Sequence, residues 1–395
     1  MLKSLEQLQY GMISPKSFQA ASAMNRIFDI ELSTSSRIER FHKAGVNCLD
    51  IDKIDERYLL SGGSKGSLCI HDLQNSTGKS SYKAKVVCQK MSAHKFSITT
   101  VQWFPFDTGI FVTSGMDNKL KIWDTNSMRP ADIISFDFKA SCHDMSPVST
   151  QHSLIAVALG YPHVVLIDPK TGSRCHELRA HKNAVTCTRW SPTCEYLLAS
   201  GGIDNKIFLW DIRSAKGYLQ TLDQHNGLQH GSKKDLKTAH NGAITCLKFT
   251  NDGLYLVSYG TDSRIRLWDV AMCRNTLVNF GKLFDNTLMQ SRSMDLCNDS
   301  NPPILFVPNS KSIHVYDLFS GCRIKTLIGH FRTVTSCAFR SATHELLSSG
   351  QDMNILLWTP DTAREEEETL SLKNSQNDAE GSQIVDSDNW SSGED

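Results

Sequence analysis

The sequence predicts an all-β protein, a ring of seven four-stranded blades, and three observations predict it. The first is internal repetition. SGMDNKLKIWD (114–124), GGIDNKIFLWD (201–211), YGTDSRIRLWD (259–269) and GQDMNILLWT (350–359) align without gaps around a tryptophan, and self-similarity at a fixed period marks a repeat architecture. The second is a set of fixed spacings. An aspartate precedes each tryptophan by six residues in the pairs Asp117/Trp123, Asp204/Trp210, Asp262/Trp268 and Asp352/Trp358. A hydroxyl residue (Thr113, Ser200, Ser258, Ser348) stands four before the aspartate, and a histidine (His94, His181, His240, His330) stands 22 or 23 before it. The third is short-period alternation: AVTCTRW, EYLLAS and KIFLW read as three strands separated by Gly, Asp and Asn turns, with a fourth after each Trp-Asp.

Taken in order, residues 1–24 predict a helix-loop-helix outside the ring. Leu2, Leu5 and Leu8 recur three apart on one helical side. After Gly11, Ser14 suits an N-cap and Pro15 the first helical position. NRIFDIELS (25–33) alternates and is expected to supply a strand. The first blade, 41–73, keeps His42 and Ser61 but has Lys65 and His71 where Asp and Trp belong. The third and sixth, LIAVALGYPHVVLID (154–168) and ILFVPNSKSIHVYD (304–317), keep the strands and the last aspartate. Seven blades over 25–360 leave the last one a strand short, because Trp358 is followed at once by Pro360. The strand at 25–33 is expected to close the ring, removing an open sheet edge. From Asp361 the tail holds 11 acidic and 2 basic residues, net −9, which leaves +9 on 1–360 of a chain of zero formal charge. So polar and acidic a segment cannot bury enough surface to fold and is expected to be disordered.

This pattern resembles the WD-repeat family, whose repeats of roughly 40 residues each build one propeller blade. Composition agrees with a soluble globular chain: 40% apolar, 21% charged, with no apolar run long enough for a membrane helix and no secretory apolar core at the start. The twelve cysteines form no CxxC pair, and Cys187 and Cys246 sit inside strand patterns, which argues for buried intracellular thiols rather than disulfides or zinc.

Ser, His and Asp recur together, but no nucleophile elbow accompanies them, and one active site copied four times around a ring would be odd. A structural chain explains the residue types: the indole N–H only donates, the hydroxyl does both, imidazole passes the bond on and carboxylate ends it. GKS in HDLQNSTGKS lacks the upstream glycine spacing of a phosphate loop, and the histidines of LDQHNGLQHGSKKDLKTAH (222–240) suit a flexible loop better than a metal site. No catalysis and no cofactor are expected.

Three features exceed a bare propeller: Arg213 after Trp210-Asp211, the N-terminal extension, and the 58 residues from Trp210 to Trp268 with their excess in 214–240. Trp-Asp-x-Arg at 210–213 is similar to the box of WD-repeat substrate receptors of cullin-RING ubiquitin ligases, and such receptors carry a helix-loop-helix ahead of the ring. VQWFPFDTG (101–109), HDMSPVST (143–150), TLDQHNG (221–227), NTLVNFGK (275–282), the weak blades and the acidic tail narrow the resemblance to the Cockayne syndrome branch of that family. The resemblance implies a non-catalytic subunit of a nuclear ligase, recruited to chromatin and nuclear matrix on DNA damage, in transcription-coupled nucleotide excision repair. It implies docking of the large adaptor subunit of the damage-specific DNA-binding complex, with its cullin scaffold and RING subunit, through Arg213, Asp211, Lys170, Leu2, Leu5, Leu8, Ile13 and Phe18. The opposite face would meet the Cockayne syndrome ATPase and RNA polymerase II. The rivals are a generic scaffold propeller, a G-protein-β-like subunit, for which the start is too short a helix, and a chromatin or DNA reader. No aromatic-interleaved basic stripe supports the last.

Overall fold

The computed structural model describes residues 8–33, 36–74, 82–214, 217–227, 237–283 and 292–360. Leu2, Leu5, most of the 228–237 loop and the tail 361–395 lie outside the described residues.

Seven sheets follow one another along the chain, each built around three or four consecutive antiparallel strands. Within a blade the second and third strands are buried almost throughout, as in Leu197–Gly202 and Ile207–Asp211. The fourth strand forms the outer edge; Ser173–Arg179 is exposed along nearly its whole length. This is why the inner strands read as continuous apolar runs, while the outermost carries the charges. Glycine is required where blades meet: a Cβ on Gly201 would lie 2.7 Å from Ile244 Cγ2 and 2.9 Å from Cys187 Sγ. In the D-N-K turns Asn118 and Asn205 take φ of 60° and 65°, a left-handed conformation that asparagine tolerates.

The ring closes by antiparallel pairing of Ile30–Leu32 with Ile355–Pro360, in the register Ile30 to Pro360 and Leu32 to Trp358. The closing strand is shorter than the 25–33 expected, because Pro15–Phe28 is helical. Ala23 and Ile27, four apart on that helix, are both buried, and Ile27 packs beside Met24 against the seam of the sixth and seventh blades, so helical burial wins over the alternation in NRIF. Ser14 caps the helix as expected, its Oγ accepting the Ser17 N–H at 3.1 Å. The first blade gains an unforeseen fifth strand, Ser36–Ile38, running parallel to Tyr82–Lys90.

Turns joining first to second and third to fourth strands share one face, termed lower here. Second-to-third turns and the crossings between blades share the upper face. A central channel opens to both, with cavities of about 370 Å³ at the lower end and about 440 Å³ at the upper. First-strand cysteines such as Cys48, Cys187 and Cys337 lie buried around it, and burial raises their thiol pKa values, keeping them protonated.

The three weak blades carry a latch that the sequence reading passed over. Asp50, Asp144 and Asp295, on the first strands of blades one, three and six, each accept a backbone N–H from the next blade: Trp103 at 2.7 Å, Trp190 at 2.7 Å and Phe339 at 2.8 Å. Arg189 pairs with Asp144 at 2.9 Å and Lys248 with Asp295 at 2.6 Å. Among the described residues Asp50 has no such ion pair, and burial pushes its carboxyl from 3.8 up to about 6, against the pull of Lys53, Lys248 and Arg189. The folded chain thus holds a proton that the unfolded chain releases near pH 4, and stability from this group falls as pH rises from there to about 6. Asp50→Asn keeps the acceptor for Trp103 and removes the ionisation. It is expected to stabilise the protein by about 1–2 kcal/mol at pH 7.5 and to change little at pH 4. Paired urea melts at the two pH values check this; an equal effect at both would exclude ionisation of Asp50 as the cause.

Candidate functional site

The structure brings each Trp, hydroxyl, His and Asp of the repeat into one chain. In the fourth blade Trp210 Nε1 donates to Ser200 Oγ at 2.8 Å, Ser200 Oγ lies 2.8 Å from His181 Nε2, and His181 Nδ1 lies 3.0 Å from Asp204. The assignment that satisfies every member has Ser200 donating to Nε2 and Nδ1–H donating to the carboxylate. Trp123–Thr113–His94–Asp117 repeats it with links of 2.8, 2.7 and 2.8 Å. Trp268–Ser258–His240–Asp262 does so with 2.8, 2.7 and 2.9 Å. Trp358–Ser348–His330–Asp352 has 2.8, 2.8 and 2.9 Å. Burial opposes ionisation of Asp204, yet the hydrogen bond from His181, with the N–H groups of Lys182 and Lys206, holds its carboxyl below the ordinary value. Ser200 is fully buried with its proton and a lone pair engaged, so no substrate reaches it.

In the first blade Ser67 stands in for the missing aspartate: His42 Nδ1 lies 2.7 Å from Ser67 Oγ and Nε2 lies 2.8 Å from Ser61 Oγ. His71, at the tryptophan position, reaches Glu39 O at 3.0 Å instead. Of the loop histidines weighed as metal ligands, His240 is held in its tetrad. Among the described residues no three His, Cys, Asp or Glu side chains gather as a metal site.

Arg213 lies on the lower face, in the turn after Ile207–Asp211. Asp211 Oδ1 accepts both the Arg213 backbone N–H and Nε, each at 3.0 Å, and Oδ2 accepts Nη2 at 2.7 Å. The guanidinium lies over the Tyr196 ring, 4.3 Å from its centroid. Behind it, Glu195 accepts the N–H groups of Thr150 and Gln151 at 3.0 and 3.2 Å, and His152 Nε2 meets Glu195 O at 2.7 Å, so the third blade braces the fourth. The sequence suggested a free planar fork. In the structure the Nε/Nη2 edge is committed to Asp211, and Nη1 has no hydrogen-bond partner among the described residues. The side chain stays 61% exposed. An ion pair so exposed adds little stability; its effect is to fix the direction in which Arg213 points. The aromatic platform, Tyr196, lies 17 residues upstream of Arg213, and no local spacing signalled it.

Lys170 sits at the same offset in the third blade, exposed, its backbone N–H on Asp168 Oδ1 at 3.0 Å. The N-terminal residues reach the same face, since Ile30 pairs with Pro360 at the lower end of the closing strand pair. Leu8, Ile13 and Phe18 are half-buried, while Tyr10 and Met12 are exposed. Lys325 Nζ fastens the helix end, donating to the carbonyls of Phe28 at 3.1 Å and Ile30 at 2.8 Å. The helix therefore stands at blades six and seven, across the ring from Arg213; the structure places the two on one face and not in contact.

Comparison with known proteins agrees with this architecture. The WD domain, G-beta repeat model matches residues 85–124, 172–211, 233–269 and 321–359, the segments that end in the four tetrads. WD repeat-containing protein ATCSA-1 of Arabidopsis thaliana is 32% identical, over 93% of this chain and 97% of that protein. Radiation-sensitive protein 28 of Saccharomyces cerevisiae is 24% identical over 45% of this chain and 39% of its own length. A ribosome biogenesis protein WDR12 homolog of Drosophila mojavensis is 32% identical over 50% and 44%. The second and third matches cover half of this chain or less, whereas the Arabidopsis match takes in nearly the whole of both chains, and on that footing this chain belongs to the WD-repeat family.

Proposed function

We propose that this chain is the substrate-recognition subunit of a cullin-RING E3 ubiquitin ligase acting in transcription-coupled nucleotide excision repair in the nucleus. The observation that carries the reading is Arg213, held in a fixed pose by Asp211 and Tyr196 on the face that also bears the N-terminal helix. A pre-set arginine loses little freedom on docking, and an apolar helical segment suits a groove on the large adaptor subunit of the damage-specific DNA-binding complex. The full-length likeness to a plant protein whose name contains CSA supports the same branch of the family. Lys170, Ile13, Phe18 and the leucines at 2, 5 and 8 would extend the docking surface. The upper face would hold the Cockayne syndrome ATPase and stalled RNA polymerase II, and ubiquitin would reach its target by proximity, without chemistry from this chain.

Arg213→Glu, and separately removal of residues 1–20, are each expected to reduce co-purification of the adaptor with its cullin and RING subunits by at least about tenfold. Ala23 and Ile27 remain in the truncated chain, and both variants should melt within a few degrees of the parent. Undiminished adaptor recovery in both would overturn the reading in favour of a scaffold or chromatin-binding propeller without ligase association.

A further inference from the structure

One first-strand position, repeated in every blade, lines the lower cavity of about 370 Å³. It holds Asp50, Gln102, Asp144, Arg189, Lys248 and Asp295 in the first six blades and Ala338 in the seventh. Around most of this ring each group meets a neighbour. Gln102 Nε2 donates to Asp144 Oδ1 at 3.1 Å, and Arg189 Nη1 lies 2.9 Å from the same oxygen. Arg189 Nε donates to Leu247 O at 3.1 Å, and Lys248 Nζ lies 2.6 Å from Asp295 Oδ1.

The ring is interrupted at Asp50. Its Oδ2 accepts the Trp103 N–H at 2.7 Å, and its Oδ1 has no partner among the described residues. Lys248 reaches Asp295 from the blade before it, but the blade before Asp50 offers only the methyl of Ala338, packed with Val46 and Leu49. Lys53, Arg189 and Lys248 act on Asp50 from farther away, none of them within ion-pair distance, and Arg189 and Lys248 already hold Asp144 and Asp295. Asp50 is partly exposed to the cavity, beside the one ring position without a long side chain.

We propose that the lower cavity takes a protonated primary alkylamine, its ammonium on Asp50 Oδ1 beside Ala338. The methylenes lie against the apolar part of the wall, to which Val101, Met145 and Phe249 contribute. The count of open acceptors selects this chemistry. A guanidinium fork uses both carboxylate oxygens, and Trp103 holds one of them. A calcium ion takes about six or more oxygens, and the other ring carboxylates are engaged by Arg189 and Lys248. An ammonium is a compact point charge that a single oxygen can hold. Burial pushes the Asp50 carboxyl up to about 6, so the carboxylate that the amine needs is present above that pH and is lost below it. Affinity should therefore rise with pH through about 6 and then level off. A free alkylamine and a lysine side chain of a docked protein present this same group.

The test is a ligand-observed NMR titration of the intact chain with n-butylamine, set against n-butanol, n-butylguanidine and calcium chloride. n-Butylamine is expected to bind at pH 7.5 and about tenfold more weakly at pH 5. n-Butanol and n-butylguanidine should each bind at least about tenfold more weakly than the amine at pH 7.5. Asp50→Asn keeps the acceptor for Trp103 and should abolish amine binding, with a melting temperature at pH 7.5 no lower than the parent's. Ala338→Lys should also abolish it, by supplying the ammonium from within the chain. Arg213→Glu should leave amine binding unchanged, so this inference and the adaptor reading fail separately. Adaptor recovery with Asp50→Asn then identifies the source: a loss of about tenfold puts an adaptor lysine in the cavity, and undiminished recovery makes the guest a free amine. Failure of n-butylamine to bind, binding that persists in Asp50→Asn, or equal affinity at the two pH values would each overturn the proposal. Displacement of the amine by equimolar calcium would give the cavity to a metal ion instead.

Discussion

Trp210→Ala is expected to cost about 3–5 kcal/mol of stability, the range for deleting a buried aromatic. Trp210 is 1% exposed and packs with Trp190, Phe208 and Leu198 in the fourth-blade core. The polar half of that effect can be separated from the cavity. Trp210→Phe retains most of the ring and leaves Ser200 Oγ without its indole donor, at about 1–2 kcal/mol. Ser200→Ala removes the hydroxyl and strands both the indole N–H and His181 Nε2. In the double variant Trp210→Phe/Ser200→Ala only the imidazole remains unpartnered, so the combined loss should be smaller than the sum by about 0.5–1 kcal/mol. Guanidinium midpoints of the four proteins measure it. Strict additivity would show that the tetrad acts as separate contacts and not as one chain.

Ile30→Asp is expected to open the ring. Ile30 is 1% exposed, clustered with Ile27, Ile304 and Phe306 at the seam of blades six and seven. A carboxylate there is buried without a partner, at a cost above about 3 kcal/mol. Release of the closing strand also bares the edge of Ile355–Pro360, an invitation to pair with another chain. Leu32→Asp, two residues on, is the matched control: Leu32 is 41% exposed and its change should stay within about 0.5 kcal/mol. Urea midpoints with light scattering during the transition distinguish the two positions. Equal midpoints for both would mean that closure contributes nothing to stability.

The tetrads were legible in the sequence because a hydrogen-bond chain needs four residue types at set distances, and antiparallel strands turn those distances into fixed spacings. Helix against strand at 25–28 was not legible. Ile27 satisfies both the alternation of NRIF and a four-residue step from Ala23, and only packing against the last two blades decides between them. The Asp50, Asp144 and Asp295 latches had a signal that was missed: each aspartate occupies the same first-strand position in a weak blade, where the other four blades have Gln102, Arg189, Lys248 and Ala338. Tyr196 beneath Arg213 comes from a separate turn, and a linear reading does not bring the two together.

The shared seventh blade also has a consequence for synthesis. Ile30 leaves the ribosome early, but its partner Pro360 follows 330 residues later. At about 5–20 residues per second the closing strand waits roughly 15–65 s for the strand it pairs with. Until blades six and seven are made, Ile27 and Ile30 have no seam to enter. The closing strand must therefore stay unpaired and accessible until the last blade has been made.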